Sequence, residues 1–405
     1  MSQYEVIYAN KYRLGDFVKN ITIEDNLGEI SFRAVITLEY DESLPSFSLG
    51  ERIRISGTPY GMSEMKPILY YGILWDIESD WKGHKELILT VYDLSIYLKS
   101  EEEFLFQANT TASSRFKAYM RVTSLPLSTV EDTKIKLSKA LYRAKPIYEM
   151  IRDDLKETVL KGGDFYRVYM STQGMELRKI GQNKDVYVFE TDKNIENITQ
   201  KRTIEGAVTR VKILGLAEND QLSPIKKVLD GDIQIGVIQK MIQEEVEQAE
   251  KSSENSEEYK KALQEQIIAL DQAGKFDEAK KLLQKLAGTE KSTAGIEEQI
   301  AKMDQEGKYD DLIGLLQKIS KSGTKDPSTI KKTKDMTDVA KNMLQGPSED
   351  FTFTTVDINT IRAGDIIRLN NMELYVCSVR HELGDTGRMT ITAGSKDYVK
   401  RSFYI

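Results

Sequence analysis

The feature that most constrains this chain is where its aromatic and arginine residues stop. Of 34 aromatic residues, only Tyr259, Phe276 and Tyr309 fall between Val211 and Asp350. No arginine occurs from Val211 to Ile361, although lysine is abundant there. Aromatic and β-branched side chains suit pleated, half-buried surfaces, whereas Ala, Leu, Glu, Lys and Gln suit helices. Residues 1–215 and 351–405 therefore read as mostly β, and the block between them as helical. A helical segment inserted into, or hung from, a β scaffold is the simplest arrangement. The fold class is α+β, mainly β, with a helical insertion. At 405 residues the chain is too long for one typical domain. The divisions fall at 1–100, an N-terminal β domain; 101–215, an α+β domain; 216–350, mainly helical; and 351–405, a C-terminal β segment.

Repeated short strands fill the first hundred residues. Ile30–Tyr40 alternates, with Phe32, Ala34, Ile36 and Leu38 on one face. Ile53 and Ile55 alternate with arginines between Gly50 and Gly57, Pro67–Ile77 is apolar and β-rich, and Glu86–Tyr92 follows the turn at Gly83-His84. Strands at this spacing, separated by Gly, Asp and Asn turns, predict a small antiparallel barrel or sandwich. The stretch 101–125 carries too weak a pattern to assign. Thr133–Leu160 has helical spacing, first through Ile135, Leu137, Ala140 and Leu141, then through Ile147, Met150, Ile151 and Leu155. Pro146 is placed to start the second of these helices. Strands return at Phe165–Met170, Met175–Ile180, Val186–Phe189 and Gly206–Leu214.

The central block contains an internal repeat. Residues 263–286, LQEQIIALDQAGKFDEAKKLLQKL, align without gaps on residues 296–319, IEEQIAKMDQEGKYDDLIGLLQKI, with 12 of 24 positions identical. Each copy reads as helix, turn at Gly274 or Gly307, and a second helix capped near Asp277 or Asp310. Gly274-Lys-Phe-Asp-Glu-Ala279 resembles the corresponding segment of the tetratricopeptide unit. The second copy departs at Leu312, and two copies are fewer than an independent solenoid needs. Two packed helical hairpins and a protein-docking arm both fit.

Little of the composition serves catalysis. The net charge of −7 argues against nucleic acid or anionic membrane as the main partner. No apolar run approaches the ~18 residues that span a bilayer, and the N-terminal residues lack the apolar core of a signal peptide. The expectation is a protein made in the cytosol, without membrane insertion. The lone Cys377 excludes an internal disulfide, and two histidines, His84 and His381, exclude most metalloenzymes. His84 reads as a solvated turn residue and His381 as a hydrogen-bonded strand residue. Alternation puts Tyr375, Cys377, Val379 and His381 on one face, but no third group orients a Cys–His pair. Glu101–Glu103, Asp153-Asp154 and Asp310-Asp311 read as solvated charge runs rather than paired catalytic carboxylates. No phosphate-binding loop occurs. The expected sets of catalytic, cofactor-binding and metal-binding residues are all empty, no cofactor is expected, and the chain is not expected to be an enzyme.

The C-terminal segment is the most informative. Arg362-Ala-Gly-Asp365 feeds the apolar strand Ile366–Leu369; a turn at Asn370-Asn371 leads to Tyr375–His381, and then Met389–Ala393 follows. Upstream stand Gly236-Val-Ile-Gln239 and the helix-like Thr337–Leu344. In this order the segments resemble the XkdQ/YqbQ-like hub family of Gram-positive prophages and phage-tail-like bacteriocins. The repeat arm has no counterpart there. The resemblance implies β-barrels of tail-hub type, with 351–405 completing a second barrel. It implies a homotrimer whose ring adapts the hexameric tail tube to the trimeric central spike of a contractile tail. The partners it implies are further copies of the chain, the tail tube protein and the central spike protein; the arm suggests tape-measure or other baseplate proteins. Assembly in the bacterial cytoplasm and residence in the particle follow. Two other readings fit parts of the chain: a tetratricopeptide-like adaptor, and a tail-associated cell-wall hydrolase.

Overall fold

The computed structural model describes residues 4–81, 83–216, 222–244, 335–384 and 387–405. Two compact units are present, one formed by Met1–Gln243 with Met336–Ile405 and the other by Glu244–Asp335. The second unit lies almost wholly outside the described residues, and with it the repeat at 263–286 and 296–319. Every strand and helix among the described residues belongs to the first unit.

The main feature of this first unit is a 13-stranded sheet that curls around two separate cores. In the first half, Val18–Asn26 pairs with Arg33–Glu39, which pairs with Lys85–Asp93, then Lys66–Trp81, then Arg52–Gly57, all antiparallel. Tyr4–Tyr8 adds antiparallel to Arg52–Gly57. The alternation read from the sequence holds: Phe32, Ala34, Ile36, Leu38, Ile53 and Ile55 are all buried. Val6 and Tyr8 from one end of the strand series share their core with Ile21 and Ile23 from the other, so the sheet wraps as a barrel does.

The second half repeats this plan. Ile195–Thr203 pairs with Ser348–Val356, which pairs with Arg388–Gly394, then Met372–Leu383, then Ile366–Leu369, again all antiparallel. Two of the bulges recur as well, while the irregular pairing of Arg52–Gly57 with Lys66–Trp81 has no counterpart in the second set. One extra residue sits at Lys19 and one at Glu196, inside the first strand of each set. Another sits at Trp75 and at Cys377, inside the fourth strand in pairing order. Each set ends in a capped turn of helix, with Asp93 accepting from the Ser95 amide and Ser395 from the Tyr398 amide. Only the outermost strand differs in direction: Val188–Phe189 runs parallel to Ile366–Leu369. Phe189, Phe351, Phe353, Ile367 and Ile391 fill the second core.

Both halves pack against an α+β layer, which shares its core with Ile30 and Leu98 from one and Cys377 and Val399 from the other. A helix over Ala112–Thr123, capped by Thr111 and Ser114, occupies the stretch that the sequence left unassigned. The helix expected at 133–141 does not form. Ala140–Pro146 is instead a strand paired with Glu101–Phe106, because its apolar residues meet Phe104 and Phe106 across a ladder. The helix after Pro146 spans Ile147–Leu160, with Met150, Ile151 and Leu155 buried. Tyr166–Ser171 and Gly174–Lys179 form a small sheet with Leu127–Val130. Lys396–Tyr404 returns to this layer, stacking Tyr404 on Phe165 at 5.0 Å.

The remaining sheet lies in part of the region expected to be mainly helical. Arg210–Leu214 sits between Ile225–Asp230 and Gln239–Gln243, with the helix Thr337–Met343 packed on Val211 and Ile213. Of the strands within 165–214, only Val188–Phe189 and Ile195–Thr203 pair with the C-terminal segment.

Candidate assembly site

Three parts of the chain converge on one buried carboxylate. Asp25, near the end of Val18–Asn26, is 3% exposed. Its Oδ1 accepts from Arg167 Nη2 at 2.9 Å, from the strand Tyr166–Ser171 of the α+β layer. Its Oδ2 accepts from Arg362 Nε at 2.6 Å and from the Ala363 amide at 3.1 Å, both in the loop of the second barrel between Ser348–Val356 and Ile366–Leu369. Arg362 lies over the Phe32 ring at 3.6 Å and the Tyr169 ring at 4.8 Å. Gly364 makes this loop possible. Its φ of +89° is one that side chains resist, and a Cβ there would stand 3.0 Å from Ile180 and 3.1 Å from Arg167.

Burial alone would raise the Asp25 carboxyl, but the two guanidinium groups outweigh it and hold the group well below the usual carboxylate range. Nearby Asp93 and Asp365 behave oppositely. Burial pushes each up to about 6, against partial compensation from hydrogen bonds with Ser95 and the Arg362 amide. The cluster therefore holds one ionised acid between two cations, flanked by two acids poised near neutrality.

Next to this joint, the two barrels are sewn together. Ile21–Asn26 pairs antiparallel with Ser378–Leu383, and Arg380 faces Glu24 across the ladder at 3.4 Å. Leu383, at the end of the seam, is buried in the first barrel's core. The bulge at Cys377 sets this up. It flips the strand's alternation, so Val376 and Val379 both face the second core while Cys377 faces the α+β layer. Cys377 and His381 thus do not share a face, contrary to the simple alternation.

The residues weighed as chemistry lie apart. Burial pushes the Cys377 thiol up to about 12. His381 is 1% exposed, with Nδ1 at 2.6 Å from Asp357 and Nε2 at 3.0 Å from the Ile361 carbonyl. That arrangement fixes the loop 357–361 to the strand. His84 is exposed at the tip of the 81–85 hairpin and contacts Glu86 at 2.9 Å. Asp153 and Asp154 diverge. Asp153 pairs with Lys145, whereas Asp154 is buried and holds Arg115 at 2.7 Å with the hydroxyls of Tyr119 and Tyr142. Glu103 is exposed beside Arg143, and Asp310-Asp311 lies outside the described residues. Among the described residues no cluster of three or more His, Cys, Asp or Glu could hold a metal, and no helix is long and apolar enough to cross a membrane. Sequence reasoning missed Asp25, Arg167 and the seam. One faint signal existed: Asn20-Ile-Thr22 and Asn197-Ile-Thr199 occupy equivalent places in the two barrels, but three residues are too few to declare a repeat.

This architecture is that of known tail proteins. The 43 kDa tail protein of prophage MuSo2 from Shewanella oneidensis superposes with a TM-score of 0.57 at 7% identity, covering 98% of this chain and 99% of that one. The tail protein from Neisseria meningitidis MC58 gives 0.57 at 12% identity, covering 100% and 99%. At such identities the likeness establishes the fold. The family is settled by sequence: the YQBQ-like profile matches residues 22–274, and the chain belongs to that family. An uncharacterized relative, YqbQ of Bacillus subtilis (strain 168), is 24% identical over 174 residues. That match spans 42% of this chain and about half, 52%, of the relative.

Proposed function

We propose that this protein is a structural, non-enzymatic hub of a contractile phage tail or phage-tail-like bacteriocin baseplate. Three copies form a ring that adapts the hexameric tail tube to the trimeric central spike. The observation that carries this reading is the duplicated barrel: one chain presents the same five-strand unit twice, with matching bulges in the first and fourth strands, so three chains supply six equivalent units. The shared fold of the two prophage and bacterial tail proteins supports it. The buried joint suits such a role, because it fixes the two units of one chain against each other. Assembly in the bacterial cytoplasm with tube and spike proteins follows from the reading, and the 263–286 and 296–319 repeat is assigned to docking a further baseplate or tape-measure protein. Sedimentation of the purified chain should give a trimer, and the chain should co-purify with tube and spike proteins. A strictly monomeric chain that joins no particle overturns the proposal. Deleting 250–325 without effect on particle assembly overturns the docking role of the repeat.

A further inference from the structure

The duplication is asymmetric in how its outer edges are covered. In the first barrel the outer edge of Val18–Asn26 is covered by Ser378–Leu383 from the same chain. In the second barrel the equivalent edge, on Ile195–Thr203, has no strand partner among the described residues. The equivalent of Ser378–Leu383 is found by matching bulge to bulge, Trp75 to Cys377, and it is Asp76–Trp81. That segment pairs with Lys85–Thr90 on one side and with no strand on the other among the described residues. Each chain therefore carries one uncovered copy of each half of its own internal seam.

We propose that these two edges meet in trans: Asp76–Trp81 of one copy pairs antiparallel with Ile198–Thr203 of the next. The inference rests on the ring reading above and gives that ring its contact surface. The internal seam sets the register. Arg380 opposite Glu24 maps onto Glu78 opposite Lys201, and Leu383 opposite Ile21 maps onto Trp81 opposite Ile198.

Two independent features support that register. The cross-strand ion pair survives with its polarity reversed, since the internal seam has Arg380 with Glu24 while the mapped pair is Glu78 with Lys201. The side chain of neither Glu78 nor Lys201 forms a salt bridge or hydrogen bond among the described residues; Lys201 faces Asp350 across its own sheet and acts on it only through its charge. Asp76 shares the face of Glu78 along its strand, whereas Arg202, next to Lys201, points to the other face and is already paired with Glu349 at 2.8 Å. Second, Leu383 is 4% exposed because the internal seam drives it into the first core, whereas its equivalent Trp81 is 73% exposed. Docked in this register, Trp81 would cover half-buried Ile198 at the end of the second core. An exposed, flat strand edge is a template for further pairing. Because the two edges differ, the contact is head-to-tail and closes into a ring when the rotation permits.

Cysteines at Ser79 and Gln200, which the register places opposite one another, test this on the full chain. Directly opposed residues in an antiparallel ladder lie about 4.5–5.5 Å apart, within disulfide reach, and the one native cysteine is buried. The Ser79→Cys, Gln200→Cys double variant should oxidise to a covalently closed oligomer. Mixing the two single variants should give disulfide dimers, and neither single variant should do so alone. Cross-linking within one single variant, or none in a double variant that still self-associates, overturns the inference and leaves the ring reading standing. A wild-type chain that does not self-associate overturns both. Glu78→Lys or Lys201→Glu alone should weaken association roughly fivefold or more per contact. Combining them should restore it, and a double swap no better than the singles refutes the register.

Discussion

The barrel on residues 18–93 and the barrel on 195–203 with 348–394 follow one backbone plan with different side chains. Ala34 in one occupies the place of Phe351 in the other, Ile23 that of Gln200, and Leu38 that of Thr355. The four equivalent bulge positions hold Lys19, Glu196, Trp75 and Cys377, which have nothing chemical in common. A bulge is thus conserved here as a bend in the backbone, re-aiming the strand, with the extra side chain free to suit its surroundings. The barrels also differ in connectivity. The first two strands of one are joined directly between Asn26 and Arg33, whereas Thr203 and Ser348 are separated by the whole insertion. A hairpin connection tolerates such an insertion because loop-closure entropy rises only slowly with length.

The comparison breaks most severely at the joint, which has no duplicate. Asp25→Ala leaves Arg167 and Arg362 buried without their shared anion, and should lower stability by about 3–5 kcal/mol in chemical denaturation. The matched positions Leu383 and Trp81 sharpen it next. Leu383→Ala removes a core side chain and should cost about 2–4 kcal/mol.

The two helix caps differ in charge, and so should their pH dependence. Asp93, with its carboxyl raised to about 6, binds a proton in the folded chain that the unfolded chain has already lost between roughly pH 4 and 6. Stability from this group is therefore full below that window and falls as pH rises through it. Asp93→Asn should flatten that fall, which is worth up to about 3 kcal/mol. Asp25 acts in the opposite sense, contributing above its unfolded range and losing that contribution as pH falls. Ser395→Ala, at the equivalent cap, should cost about 1 kcal/mol without changing the pH profile. Denaturation curves collected from pH 4 to 8 distinguish the two. The smallest effect belongs to Trp81→Ala, expected within about 0.5 kcal/mol for the isolated chain. A large loss of isolated-chain stability there would show that Trp81 is already packed and would remove the asymmetry between the barrels.

Much of the strand content was legible because half-buried strands alternate: Ile30–Tyr40 and Glu86–Tyr92 announce their inner faces directly. The Pro146 start of a helix was legible for the same local reason. The 133–141 stretch was not, since its apolar spacing fits a helix while its partner strand, Glu101–Phe106, lies more than thirty residues upstream. The joint was illegible because an arginine or aspartate looks solvated until three distant segments bury it together.

By itself the sequence determined which stretches favour pleated surfaces, which residues face inward along them, and the family to which the chain belongs. Tertiary structure alone decided which strands pair, that the pairing occurs twice, and which edges remain open. The physical reason is that ladder hydrogen bonds are made by the backbone, identical at every residue, so one pairing plan can be written in two dissimilar sets of side chains.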